Sequence, residues 1–88
     1  MRTDASLEFI RCISTVLMEE RERLGLSKNE LSARSGIDRA ALVRAERGDK
    51  NPGIAFFYDW CRGLGVKFST AVKRAEQRQV GKEAEEMP

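Results

Sequence analysis

Histidine is absent from this chain of 88 residues, and with it go imidazole acid–base chemistry and the commonest metal ligand. Cysteine is scarce. Cys12 and Cys61 stand far apart, with no CxxC or other zinc spacing, and read as reduced structural thiols. No apolar run approaches the roughly 18 residues that suggest a membrane helix, and the N-terminus lacks a charged-then-apolar signal pattern. Serine, cysteine and carboxylates are present without a partner base, a metal set or a glycine-rich phosphate loop, which argues against an enzyme. These absences predict a cytoplasmic protein that uses no metal or cofactor and engages neither membrane nor small-molecule ligand.

A strong charge of one sign is also missing, since the formal net charge is only +2. Its distribution is more informative. Residues 21–50 carry eight basic side chains against five acidic, whereas residues 1–20 carry two against four. The positive excess falls in the middle of the chain, where it would favour phosphate at one surface.

That middle stretch, Leu26 to Gly48, reads as two short helices around a tight turn at Gly36. Ser27 is placed to cap the first, with Glu30 three residues on as its capping-box partner and Leu31 on the buried face. Asp38 caps the second, which runs through Leu42 and Ala45 to a C′ glycine at Gly48. Small Ser32 and Ser35 would let the helices cross closely near the turn. This is a helix-turn-helix pattern, with motif 27–48 and recognition helix 38–47.

The run LGLSKNELSARSGIDRAALVRAERGDKNPG resembles the phage-repressor-like Cro/XRE-type helix-turn-helix family. The likeness continues to Leu64–Val66 and covers roughly residues 7–70. Its features are the Leu-Gly-Leu-Ser lead-in, Leu31, Gly36, Ile37, Leu42, Glu46-Arg47-Gly48 and Asn51-Pro52. Lys28 stands where the family often has Gln, and Ser32 where it usually has Ala. The resemblance implies an all-α fold, a compact lambda-repressor-like bundle of about five short helices.

Taken in order, a first helix capped by Ser6 should run to about residue 23, with Ile10, Ile13, Leu17 and Leu24 on its apolar stripe. Residues 1–5 should be loosely held. Extending the stripe beyond Leu17 reaches Arg21, and extending that of the recognition helix beyond Leu42 reaches Glu46. Two opposite charges at core-facing positions should meet as a structural ion pair. The family resemblance implies the same pair. A fourth helix, about 53–63, directs Ile54, Phe57, Trp60, Cys61 and Leu64 inward, leaving Phe56 exposed. A fifth, about 69–79, carries the thin stripe Ala71, Val72 and Ala75. The domain then spans residues 1–76, with a polar, frayed tail over 77–88.

In a helix-turn-helix, the exposed positions of the second helix reach base edges. Here these are Arg39, Ala40, Val43 and Arg44, with Arg39 suited to bidentate contact with guanine and Ala40 and Val43 to thymine methyls. Lys28, Asn29, Arg47, Lys50 and Asn51 are the candidate backbone contacts. The expected partner is double-stranded DNA, bound sequence-specifically by a small transcriptional regulator, a repressor or an activator, that works as a homodimer on a palindromic operator. Phe56, Phe68, Ala71, Val72 and Ala75 form the candidate dimer interface. The alternative is an antitoxin-like or adaptor module whose main partner is another protein, such as a toxin.

Overall fold

Thr3, rather than Ser6, opens the first helix: its hydroxyl accepts a hydrogen bond from the Ser6 backbone N–H at 3.1 Å. Residues 3–86 are described by the computed structural model, so Met1 and Arg2 of the expected loose start, and residues 87–88 of the tail, lie outside the described residues. Asp4 and Ala5 are already helical. The chain then forms α1 (Asp4–Arg23), α2 (Lys28–Ser35), α3 (Arg39–Arg47), α4 (Ile54–Leu64) and α5 (Phe68–Glu86), with no strand among the described residues. The fold is all-α, with five helices among the described residues.

One core joins all five. Ile13 and Leu17 from α1, Leu31 from α2, Leu42 and Ala45 from α3, and Ala71 and Ala75 from α5 surround Trp60 and Leu64 of α4. Trp60 is fully buried, stacked on Phe57 at a centroid distance of 6.0 Å and met edge-on by Phe56 at 5.9 Å. Apolar burial of this kind contributes about 1.5–3 kcal/mol per large side chain. It also buries both thiols, which raises the pKa of Cys12 above its ordinary value and pushes that of Cys61 up to about 11.

Four expectations need correction. Leu24 is 41% exposed, because α1 outlasts the core at that end and Leu26 packs against it after the turn at Gly25. Ile54 is 75% exposed, since the first turn of α4 projects past its neighbours and Phe57 is the first side chain of that stripe to be buried. Phe56 is half-buried against the core. Finally, residues 77–86 are a continuation of α5. They lie along α1, where Gln79 donates to the Ala5 carbonyl at 2.8 Å, Lys82 pairs with Glu8 at 2.9 Å and Arg78 with Glu19 at 3.3 Å.

The α2–α4 crossing is equally close. A Cβ on Gly63 would come within 2.7 Å of the Ser35 Cβ, so glycine there lets the two backbones approach. Ser35 is therefore small for the sake of α4. The hydroxyl of Ser32 donates to the Ile37 carbonyl and ties the end of α2 to the following turn.

Candidate nucleic-acid interface

The turn between α2 and α3 is built from local hydrogen bonds. At its start, the Ser27 hydroxyl accepts from the Glu30 N–H and the Glu30 carboxylate accepts from the Ser27 N–H, both at 3.0 Å. The bond from that N–H holds the Glu30 carboxyl below its usual pKa. Gly36 closes α2 in the left-handed region at φ 77°, where a side chain would be strained. The Ser35 hydroxyl then accepts from the Ile37 N–H, Ile37 is buried, and the Asp38 carboxylate caps α3 through the Ala40 N–H at 3.0 Å. Leu42 and Ala45 turn fully inward, which leaves Arg39, Ala40 and Arg44 exposed and Val43 half-exposed.

The only acidic side chain within α3 is withdrawn from that outward face. Glu46 receives Arg21 Nε at 2.7 Å and Nη2 at 2.9 Å, a bidentate pair, and its side chain is only 4% exposed. The third arm of Arg21, Nη1, donates to the Leu26 carbonyl at 2.8 Å. One guanidinium thereby joins α1, the α1–α2 turn and α3. Bonding to Glu46 raises the already high pKa of Arg21, so the charge is permanent. The outer surface of α3 is left with Arg39, Arg44 and Arg47 as its charged side chains.

The remaining candidate residues occupy three places. Lys28 and Asn29 form the first turn of α2. Arg47 and its neighbour Asp49 make an exposed ion pair at 3.1 Å. Lys50 and Asn51 lie in the α3–α4 connection, with Lys50 Nζ 5.4 Å above the centre of the Phe56 ring. Sequence reading did not anticipate that cation–π contact; a lysine six residues before a phenylalanine at the start of a helix was its only sign. The candidate dimer residues separate. Ala71 and Ala75 are fully buried within the single chain, where they close its own core and so cannot form a seam, and Phe56 is packed between Lys50 and Trp60. Phe68 and Val72 stay half-exposed, with exposed Tyr58 lying 6.4 Å from the Phe68 ring. Among the described residues, no group of three metal-binding side chains is placed to hold an ion, and no helix is long and apolar enough to cross a membrane.

Buried Leu31, Ile37 and Leu42 around a left-handed glycine turn, with a polar second helix facing outward, define a helix-turn-helix protein. The helix-turn-helix family model matches residues 17–70, and the chain belongs to that family, of Cro/XRE type. It is 34% identical over 62 residues to the HTH-type transcriptional regulator SutR of Escherichia coli (strain K12), a match covering 70% of this chain and 35% of that protein. An uncharacterized HTH-type transcriptional regulator, y4dJ, of Sinorhizobium fredii (strain NBRC 101917 / NGR234) is 33% identical over 61 residues, covering 69% of this chain and 79% of its own. The chain thus spans about a third of the first relative and most of the second. Among solved structures, the fold matches the restriction-modification controller protein C.Esp1396I, crystallised as a tetramer with its natural 35 base-pair operator. The TM-score is 0.77 at 21% identity, over 82% of this chain and 95% of that one.

Proposed function

We propose that the protein binds double-stranded DNA sequence-specifically and regulates transcription, with α3 in the major groove. The observation that carries this reading is the one-signed surface of α3. Three arginines point outward while Glu46 is folded back onto Arg21, so no carboxylate within the helix opposes the phosphates. Arg39 in the first turn is placed for a guanine, Ala40 and Val43 offer apolar contact to thymine methyls, and Arg44 reads a base or clamps a phosphate. Lys28, Asn29, Arg47, Lys50 and Asn51 supply the backbone contacts. The named relatives are transcriptional regulators, and the structural neighbour was crystallised on its operator, which supports the same reading. The role is one of binding, without catalysis, in the cytoplasm.

Two copies double the contacts and set two recognition helices about 34 Å apart, one duplex turn. The patch of Tyr58, Phe68 and Val72 is the self-complementary surface we assign to that pairing, since Tyr58 is 50% exposed beside the Phe68 ring. Selection from random duplexes followed by titration tests the whole reading. Enrichment of a palindromic site supports it, and Arg39→Ala should then cost about 1–3 kcal/mol on that site and relax one base pair per half-site. Equal losses on selected and random DNA would overturn the role of Arg39. Weak binding without sequence preference, together with a different chain covering Tyr58 and Phe68, would instead favour the antitoxin-like alternative.

A further inference from the structure

Part of the molecule lies outside the family match: the first part of α1, before residue 17, and most of α5, after residue 70. These two segments pack on each other through Gln79 and Ala5 and through Lys82 and Glu8. Together with the end of α3 they form a cleft of about 470 Å³, lined by Arg11, Ser14 and Thr15 of α1, Arg47 and Gly48, and Lys82 of α5. Arg11 is exposed and makes no ion pair among the described residues. The carboxylates on the cleft are already engaged, Glu46 by Arg21 and Asp49 by Arg47. What remains unpaired is the Arg11 guanidinium beside the half-buried Thr15 hydroxyl, flanked by Arg47 and Lys82, which are each held by one carboxylate, Asp49 and Glu8.

We propose that this cleft is a phosphate-binding extension of the DNA interface, with Arg11 and the Thr15 hydroxyl gripping the duplex backbone beside Arg47. It rests on the DNA-binding reading above and adds a contact surface to it. The geometry follows from lengths. Nine residues make α3 about 13 Å long, close to the roughly 12 Å width of the major groove. With its first turn at the base edges, its last turn emerges at the wall of the groove, which is a line of phosphates. Arg47 stands there, one turn beyond Val43 on the same face, and Arg11 and Thr15 share its cleft. Glu8 tempers the site: it holds Lys82 at 2.9 Å, and its carboxyl is kept below the usual range mainly by that bond, with Arg11 adding a smaller pull.

The test is a salt titration of two duplexes, the selected site and a random sequence, with Arg11→Gln, Thr15→Val and Glu8→Gln. Arg11→Gln should weaken both duplexes several-fold, lower the slope of log K against log salt by about 0.9, and leave discrimination unchanged. Thr15→Val should weaken both less, without changing the slope. Glu8→Gln should tighten both, because Lys82 and Arg11 lose an opposing charge. Melting curves check that Arg11→Gln and Thr15→Val remain folded. Unchanged affinities and slopes in all three variants, with intact discrimination by the unaltered chain, would overturn the cleft and leave the main reading standing. Absence of salt-dependent binding by the unaltered chain would overturn both.

Discussion

The motif between Ser27 and Gly48 and the flank formed by α1 and α5 are both helical, but they are held in different ways. Within the motif, hydrogen bonds outside the helical ladders span two to five residues: Ser27 with Glu30, Ser32 with Ile37, Ser35 with Ile37, Asp38 with Ala40. Across the flank, the polar contacts join residues 54 to 74 positions apart. Local bonds form wherever the chain has the right residues, so the motif's geometry is inherent in its sequence. The flank exists only once the rest of the molecule has brought its halves together. What such long-range contacts stabilise depends on their burial, and that differs sharply between the exposed flank and the ion pair that anchors the motif to α1.

The largest expected effect falls on that anchor. Arg21→Met alone or Glu46→Leu alone leaves one charge without its partner in a site where both side chains are mostly buried, and should cost about 3–5 kcal/mol. Thermal unfolding of the double variant should recover much of the loss. Strict additivity would show that the pair does not couple α1 to the motif. A smaller loss, about 1–3 kcal/mol, is expected from Gly63→Ala, whose methyl would press on Ser35 and spread α4 from α2. An unchanged melting temperature would mean that this crossing yields freely, and that the motif is less tied to its support than the distances imply. The smallest effect should follow removal of residues 77–88. Gln79, Arg78 and Lys82 hold α1 through solvent-exposed polar bonds, each worth little, so stability should fall by about 1 kcal/mol or less. A fall several times greater would erase the contrast between flank and core.

The same contrast explains how much of the fold is legible in the sequence. Gly36, Asp38 and Gly48 carry their instructions in backbone chemistry that needs no distant partner, so the turn and both ends of α3 can be read from the residues alone. Leu42, Ala45, Phe57 and Trp60 are legible from helical spacing, because each lies mid-helix where periodicity and burial agree. Leu24 and Ile54 mislead for the opposite reason. They continue a stripe to a helix end, where spacing persists but the core has stopped. Residues 77–86 show no usable apolar pattern, and their helix lies against Glu8, Glu19 and the Ala5 carbonyl, partners that no local rule identifies. At the candidate interface, the outward set of Arg39, Ala40, Val43 and Arg44 follows from which neighbours are buried. The proximity of Arg11 to Arg47 does not, since it requires α1 to lie across the end of α3.

The two thiols buried among the core side chains have a practical consequence. Burial pushes the Cys61 thiol up to about 11, which makes the reactive thiolate scarce at neutral pH, and its sulfur is also shielded from any reagent. Alkylation or oxidation there must wait for the helices to part. Its rate, obtained without denaturant, therefore reports how often the folded molecule opens. The same protection shields both thiols from mild oxidants for as long as the chain stays folded, and makes thiol oxidation a mark of molecules that have already come apart.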